Sequence, residues 1–171
     1  MFIMNRNKIF LIHLLYFPNI MLKVTDDEKY MKIAIEEAIK ALEKDEVPVG
    51  AVIVNSGKII ARAHNLTETL KDPTAHAEMQ AITAAANFLG RKYLTGCTVY
   101  VTVEPCPMCA GALAWSQAET LVYGTPDEKK GFTKISPYLL HPKTTIRKGI
   151  LENDCKELIT GFFKNKRKNK V

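Results

Sequence analysis

Two cysteines stand three positions apart, Cys106 and Cys109, in the stretch TVEPCPMCAG (102–111), directly behind a run of strand formers. Upstream, in PTAHAE (73–78), a histidine and a glutamate stand two apart, His76 and Glu78. A lone C-x-x-C allows a redox pair, half of a structural zinc site, or part of a catalytic metal centre. Pro107 suits the first position of a helix, which puts Cys106 at the cap and Cys109 one turn on, so both sulfurs face one point. Backbone amides and the positive end of the helix dipole favour thiolates there, the form that binds metal. His76 and Glu78 would point roughly 200° apart in the middle of a regular helix. At a helix opening, which Pro73 and Thr74 provide, one site is reached from several sides. The alternative for this pair is a chance histidine and an exposed glutamate on an alanine-rich helix.

Taken together the segments are more specific. His76, Cys106 and Cys109 make a nitrogen and sulfur set that suits zinc and leaves a fourth position for water. No second C-x-x-C is present to close a structural site. Ala110, Gly111, Ala112 and Ala114 are small enough to let their helix pack closely beside the one that His76 opens. Cys97 and Cys155 read as core residues, and His64 and His141 lack partners at ligand spacing.

The elements that must hold these residues alternate, which argues for α/β layers. Thr25 and Glu28 form a capping box, and Met31, Ile35, Ala38, Ile39 and Leu42 follow helical spacing to about Lys44. VGAVIV (49–54) and KIIARAH (58–64) flank the turn Asn55-Ser56-Gly57 as an antiparallel hairpin. A second helix is expected from about Asp72-Pro73-Thr74 to Gly90. CTVYVTV (97–103) reads as a buried strand, 106–116 as a third helix, LVYG (121–124) as another strand, and ENDCKELITGFF (152–163) as a terminal helix despite Gly161.

At 171 residues the chain has room for one domain with a sizeable core, expected over 21–171. The net charge of +6 makes an anionic partner plausible. Four cysteines do not form a disulfide scaffold, so a reducing cytoplasm is the expected location. The opening MFIMNRNKIFLIHLLYFPNI resembles a weak export signal, but His13 and Pro18 interrupt it and no A-x-A-like cleavage site follows. Its apolar run is too short to span a bilayer, so no membrane partner is expected. Met21 lies just before the first strong helix, and residues 1–20 are read as a dispensable extension or the result of a start site placed too early.

His76-Ala77-Glu78 followed by Pro105-Cys106-Pro107-Met108-Cys109 resembles the zinc nucleobase deaminase signature, H-x-E…P-C-x-x-C. With EVPVGAV (46–52), DPTAHAE (72–78), YVTVEPCPMCAGAL (100–113) and FFKNKRK (162–168), the resemblance is to the bacterial tRNA-specific adenosine deaminases, over roughly 25–167. It implies a three-layer α/β/α, cytidine-deaminase-like fold with a mixed five-stranded sheet, one Zn2+ per chain and a homodimer. The implied reaction is hydrolysis of the wobble adenosine in the tRNA anticodon arm to inosine, with Glu78 as the proton shuttle. It further implies that Asn65 contacts the nucleoside and that Asp127 lies against the anticodon loop, and the backbone amides near Ala77 and Cys106 are candidate further donors to the site. Without the resemblance, Asn65 and Asp127 read as turn residues.

The terminal segment sets Phe162 and Phe163 beside Lys164, Lys166, Arg167, Lys168 and Lys170, an aromatic pair next to cations of the kind that stack bases and hold phosphates. A solvated basic tail is the plainer reading. Lys164 stands where the family often has arginine, which removes a planar stack but not the charge. Two other functions stay open: a guanine or cytosine deaminase of the same fold, and a zinc module that binds nucleic acid without turnover. Glu78 speaks against the second, because a structural site needs no acid beside an open zinc.

Overall fold

The computed structural model describes residues 25–168. The expectations for residues 1–20 and for Lys170 lie outside that range. Helix α1 (Asp26–Glu43) opens on the expected capping box: Thr25 Oγ1 accepts the Glu28 amide at 3.2 Å and Glu28 Oε2 accepts the Thr25 amide at 3.1 Å. Such a cap stabilises a helix by about 1 kcal/mol. Strands β1 (Gly50–Asn55) and β2 (Lys58–His64) follow as the hairpin. Its loop residues Ser56 and Gly57 both have positive φ, 49° and 75°, as the primed two-residue turns require.

A short helix α2 (Thr67–Leu70), helix α3 (Ala77–Leu89), strand β3 (Cys97–Val103), helix α4 (Pro107–Trp115) and strand β4 (Thr120–Thr125) come next. A 3-10 turn at Phe132–Lys134, strand β5 (Thr145–Lys148) and helix α5 (Glu152–Lys168) complete the described chain. The sheet order is β2-β1-β3-β4-β5, antiparallel on both sides of β1 and parallel from β3 through β5.

Helices cover both faces of the sheet, which gives the three-layer α/β/α arrangement. Side-chain alternation along each strand divides the core. Ala51, Ile53, Val99, Val101, Leu121 and Tyr123 pack toward α3 and α4, whereas Val52, Val54, Tyr100 and Val122 pack toward α1 and α5. The central strands are therefore apolar on both faces, as strands enclosed by two helical layers must be. Ala77, Ala81 and Ala85, spaced by four along α3, are fully buried and let the helix sit close to the strands. On the other face, a Cβ at Gly50 would strike the backbone of α1 at Ala34 and Ala38, so only glycine lets helix and strand approach this closely.

One consequence of the topology positions the site. Because β1 runs opposite to its neighbours, β2, β3, β4 and β5 share one direction, and β2, β3 and β4 deliver Asn65, Glu104 and Asp127 to one edge of the sheet. The residues entering β1, Glu46 among them, lie at that edge too.

Two elements differ from expectation. The helix expected from Asp72 starts at Ala77, because Asp72 Oδ1 accepts the Thr74 amide at 2.8 Å and its hydroxyl at 2.7 Å, closing a separate turn. The terminal helix runs past Phe163 to Lys168, so the basic residues through Lys168 belong to it rather than to a loose tail.

Candidate metal centre

Two helix openings meet at the shared edge. His76 caps α3 in extended conformation (φ −68°, ψ 156°) and Cys106 caps α4 likewise (φ −71°, ψ 167°), with Pro107 and Cys109 in the first turn that follows. The extended caps release His76 and Cys106 from any helix face, which is why histidine and glutamate two apart can serve one site. His76 Nδ1 lies 3.7 Å from Cys106 Sγ and 3.6 Å from Cys109 Sγ, and the three ligand atoms all fall within 4.8 Å of one another. A tetrahedral zinc with ordinary Zn–N and Zn–S bonds separates a nitrogen from a sulfur ligand by roughly 3.6 Å, which both histidine–cysteine spacings match.

The electrostatics agree with that use. The hydrogen bond from Cys109, helped by His76, brings the Cys106 thiol down to about 4, and the same contact together with burial pushes the Cys109 thiol up. The bond to Cys106 also raises His76. A thiol held low at a helix N-terminus favours the thiolate, the form that ligates metal.

Glu78 lies in the first turn of α3 and is 3 % exposed. Burial raises its carboxyl to about 7. Its Oε2 is the one buried side-chain polar atom among the described residues without a hydrogen-bond partner. An orphaned buried acceptor costs roughly 1–3 kcal/mol, and natural folds keep such groups where chemistry completes them. Ala77, fully buried, begins the same helix, and first-turn amides have no acceptor within their own helix.

Asn65 is 5 % exposed and donates through Nδ2 to Glu46 Oε2 and to Thr67 Oγ1, both at 3.1 Å. A cleft of about 460 Å³ opens beside His76, walled by Thr67, Glu68, Lys71 and Pro73. Asp127 closes its own turn: Oδ1 accepts the amides of Lys129 at 2.9 Å and Lys130 at 3.0 Å. That is the turn role, and it presents two lysines at the site edge. Glu104, 4 % exposed, anchors the turn by accepting the Asp127 amide at 3.1 Å and the Thr133 amide and hydroxyl at 3.0 and 2.7 Å.

The terminal helix departs from the expected aromatic pair and free cationic cluster. Phe162 is buried at 8 % exposure and only Phe163, at 44 %, offers its ring to solvent. Lys166 pairs with Asp45 and lies 5.4 Å over the Phe162 ring, which removes it from the free cations. Lys164, Arg167 and Lys168 remain exposed. The amphipathic spacing of α5 explains the split: Cys155 and Phe162, seven apart, share its inner face, and Phe163 falls outside it. His64, without a ligand role, holds Glu37 and Lys44 at 3.0 Å each.

Glu46 and Glu104 are the residues that sequence spacing does not single out. Both fall inside the segments EVPVGAV and YVTVEPCPMCAGAL, which give neither acid a role of its own. The signal available is local: Glu104 directly follows the buried strand CTVYVTV, and Glu46 precedes Val47-Pro48-Val49, where a carboxylate has little access to water.

The family described as the cytidine and deoxycytidylate deaminase zinc-binding region matches residues 24–125. The tRNA-specific adenosine deaminase of Bacillus subtilis (strain 168) is 49 % identical over 152 residues, which is 86 % of this chain and 94 % of that one. A structure solved in a study of A-to-I editing by tRNA:A34 deaminases at the wobble position superposes with a TM-score of 0.72 at 40 % identity, covering 76 % of this chain and 98 % of the other. Guanine deaminase from Bacillus subtilis matches with a TM-score of 0.56 at 40 % identity over 58 % of this chain and 64 % of its own. The chain belongs to the zinc-dependent cytidine and deoxycytidylate deaminase family, as its sheet and its His76, Cys106 and Cys109 set require. Within that family its likeness is to the tRNA-specific adenosine deaminases, along nearly their whole length.

Proposed function

We propose that the chain hydrolyses the wobble adenosine of tRNA to inosine and releases ammonia. The observation that carries this reading is the unpartnered Glu78 Oε2, buried beside His76, Cys106 and Cys109 in a chain so similar to tRNA-specific adenosine deaminases. His76, Cys106 and Cys109 would hold a zinc ion, which would supply the Lewis acidity that makes a water in the site easier to deprotonate. Glu78 takes a proton from the attacking water and delivers it to N1 of the adenine as the oxygen bonds to C6, then carries the proton of the new C6 hydroxyl to the departing amine. Water adds, ammonia leaves, and C6 carries a carbonyl. Burial suits Glu78 to both halves, since a carboxyl near 7 both accepts and returns a proton at neutral pH.

Asn65 and the Ala77 amide hold the nucleoside, while the Asp127 turn with Lys129 and Lys130 faces the anticodon loop. Phe163, Lys164 and Arg167 take the flanking RNA, with Phe162 supporting from the core. The exposed apolar Met108 and Trp115 on α4, at 37 % and 86 %, support a second copy of the chain as the partner. All four cysteines are free thiols, which supports a cytoplasmic setting. Among the described residues no helix is long and apolar enough to cross a membrane.

The guanine deaminase match gives the second reading, a free-base enzyme. Incubating the purified protein separately with tRNA, guanine, cytosine and cytidine, and measuring ammonia together with inosine in the RNA, separates the two. Ammonia matched by inosine in tRNA alone is expected. Ammonia from guanine or cytosine without inosine in tRNA would replace this reading with the free-base one.

A further inference from the structure

The Glu46 side chain is fully covered from solvent, at 0 % exposure, and its hydrogen bonds reach none of the zinc-site side chains. Burial alone would raise its carboxyl, yet the amides of Thr69 and Glu68 hold it below the usual carboxylate range. Oε2 accepts Asn65 Nδ2 at 3.1 Å, Thr67 Oγ1 at 3.2 Å and the Glu68 amide at 3.1 Å, and Oε1 accepts the Thr69 amide at 2.7 Å. No cation is among these partners. The four donors come from Asn65 and from α2, and Thr67 and Glu68 of α2 are walls of the cleft beside His76.

A carboxylate is acceptor-only, so it dictates what can face it. The amide of Asn65 must turn its nitrogen to Glu46 and its Oδ1 away. A hydroxyl or amide in place of Glu46 would not impose that choice. The same carboxylate fixes α2, a helix too short to stand without outside contacts. A side chain that bonds to no zinc ligand thereby sets both the orientation of Asn65 and the seat of a cleft wall.

We propose that Glu46 is the positioning residue of the nucleoside pocket, acting through the Asn65 amide and α2 on a substrate that it does not touch. The proposal rests on the reading of Asn65 as a nucleoside contact. Glu46→Gln is close to isosteric but has one acceptor oxygen for two sets of donors, so it leaves at least one buried N–H facing an amide NH2. Misplacement of this size costs on the order of 10- to 100-fold in catalysis.

The test is a double-mutant cycle on tRNA with Glu46→Gln, Asn65→Ala and the pair, with zinc content and thermal midpoint measured for each. Glu46→Gln is expected to lose roughly 10- to 100-fold in kcat/KM at full zinc occupancy. In the Asn65→Ala background the same change is expected to add much less than it costs alone. Wild-type kcat/KM for Glu46→Gln, or losses that multiply in the pair, would overturn the proposal. Wild-type kcat/KM for Asn65→Ala would overturn it by a different route, through the reading of Asn65. Should Glu46→Gln fail to fold, Asn65→Asp against Asn65→Ala reads the same contact with Glu46 intact. Setting a carboxylate against a carboxylate must lose more than removing the amide, and equal losses would overturn the proposal.

Discussion

The amide of Asp127 donates to Glu104 Oε2 at 3.1 Å, which ties the loop after β4 to the residue two positions before Cys106. The tie is covered on its open side by Gly131, where a Cβ would strike the Glu104 carboxylate. The loop proposed to face the RNA is thus built onto the turn that presents the two cysteines.

Glu104→Gln should loosen that loop without removing a ligand. Zinc content stays at one per chain, while KM for tRNA rises several-fold and kcat changes less. Steady-state kinetics with metal analysis checks this. Loss of zinc in step with activity would instead make Glu104 part of the metal site's own scaffold.

The division between what sequence reveals and what it hides has a physical basis here. His76, Cys106 and Cys109 are legible because proline and cap positions fix where a helix can open, and one imidazole and two thiols converging on one edge admit few uses. β5 is not legible, since all four residues of Thr145–Lys148 are exposed and no alternation of burial marks them. Glu46 and Glu104 are hidden for the opposite reason: acids that look solvated are buried by chain segments brought in from elsewhere. Lys166 looks like its neighbours in sequence, and only the approach of α5 to Asp45 sets it apart.

The metal assignment predicts about one zinc per purified chain, with most of it lost in each of His76→Ala, Cys106→Ala and Cys109→Ala. Metal analysis of the three variants is sufficient. Full occupancy in all three would contradict the ligand set.

The terminal helix predicts a salt-dependent signature. Replacing Lys164, Arg167 and Lys168 with alanine, while keeping the Lys166–Asp45 pair, should weaken tRNA binding and reduce the salt slope by roughly one for each phosphate that is no longer neutralised. Zinc and fold should be unaffected. An unchanged affinity and slope would move the RNA-binding role to the Asn65 and Asp127 loops.

Acid stability should report on Glu37. Burial opposes its charge, but Lys40, His64 and Arg62 hold the folded carboxyl below its usual value. A group depressed in the folded state contributes stability above its unfolded pKa of 4.5, and that contribution fades as pH falls toward the folded value. Denaturant unfolding between neutral pH and about pH 3 should therefore show a shallower acid limb for Glu37→Gln than for the parent. Parallel curves would mean that the carboxylate contributes no linkage.

Glu78 tests the central claim most directly, because its replacement removes chemistry without removing a ligand. Purified Glu78→Gln, loaded with zinc and given substrate tRNA, should bind the RNA like the parent and keep one metal per chain. Its release of ammonia and formation of inosine at the wobble position should fall by at least the roughly hundredfold typical of a lost acid–base group. Near-normal inosine formation with full zinc would contradict the account, since the proton shuttle would then lie elsewhere.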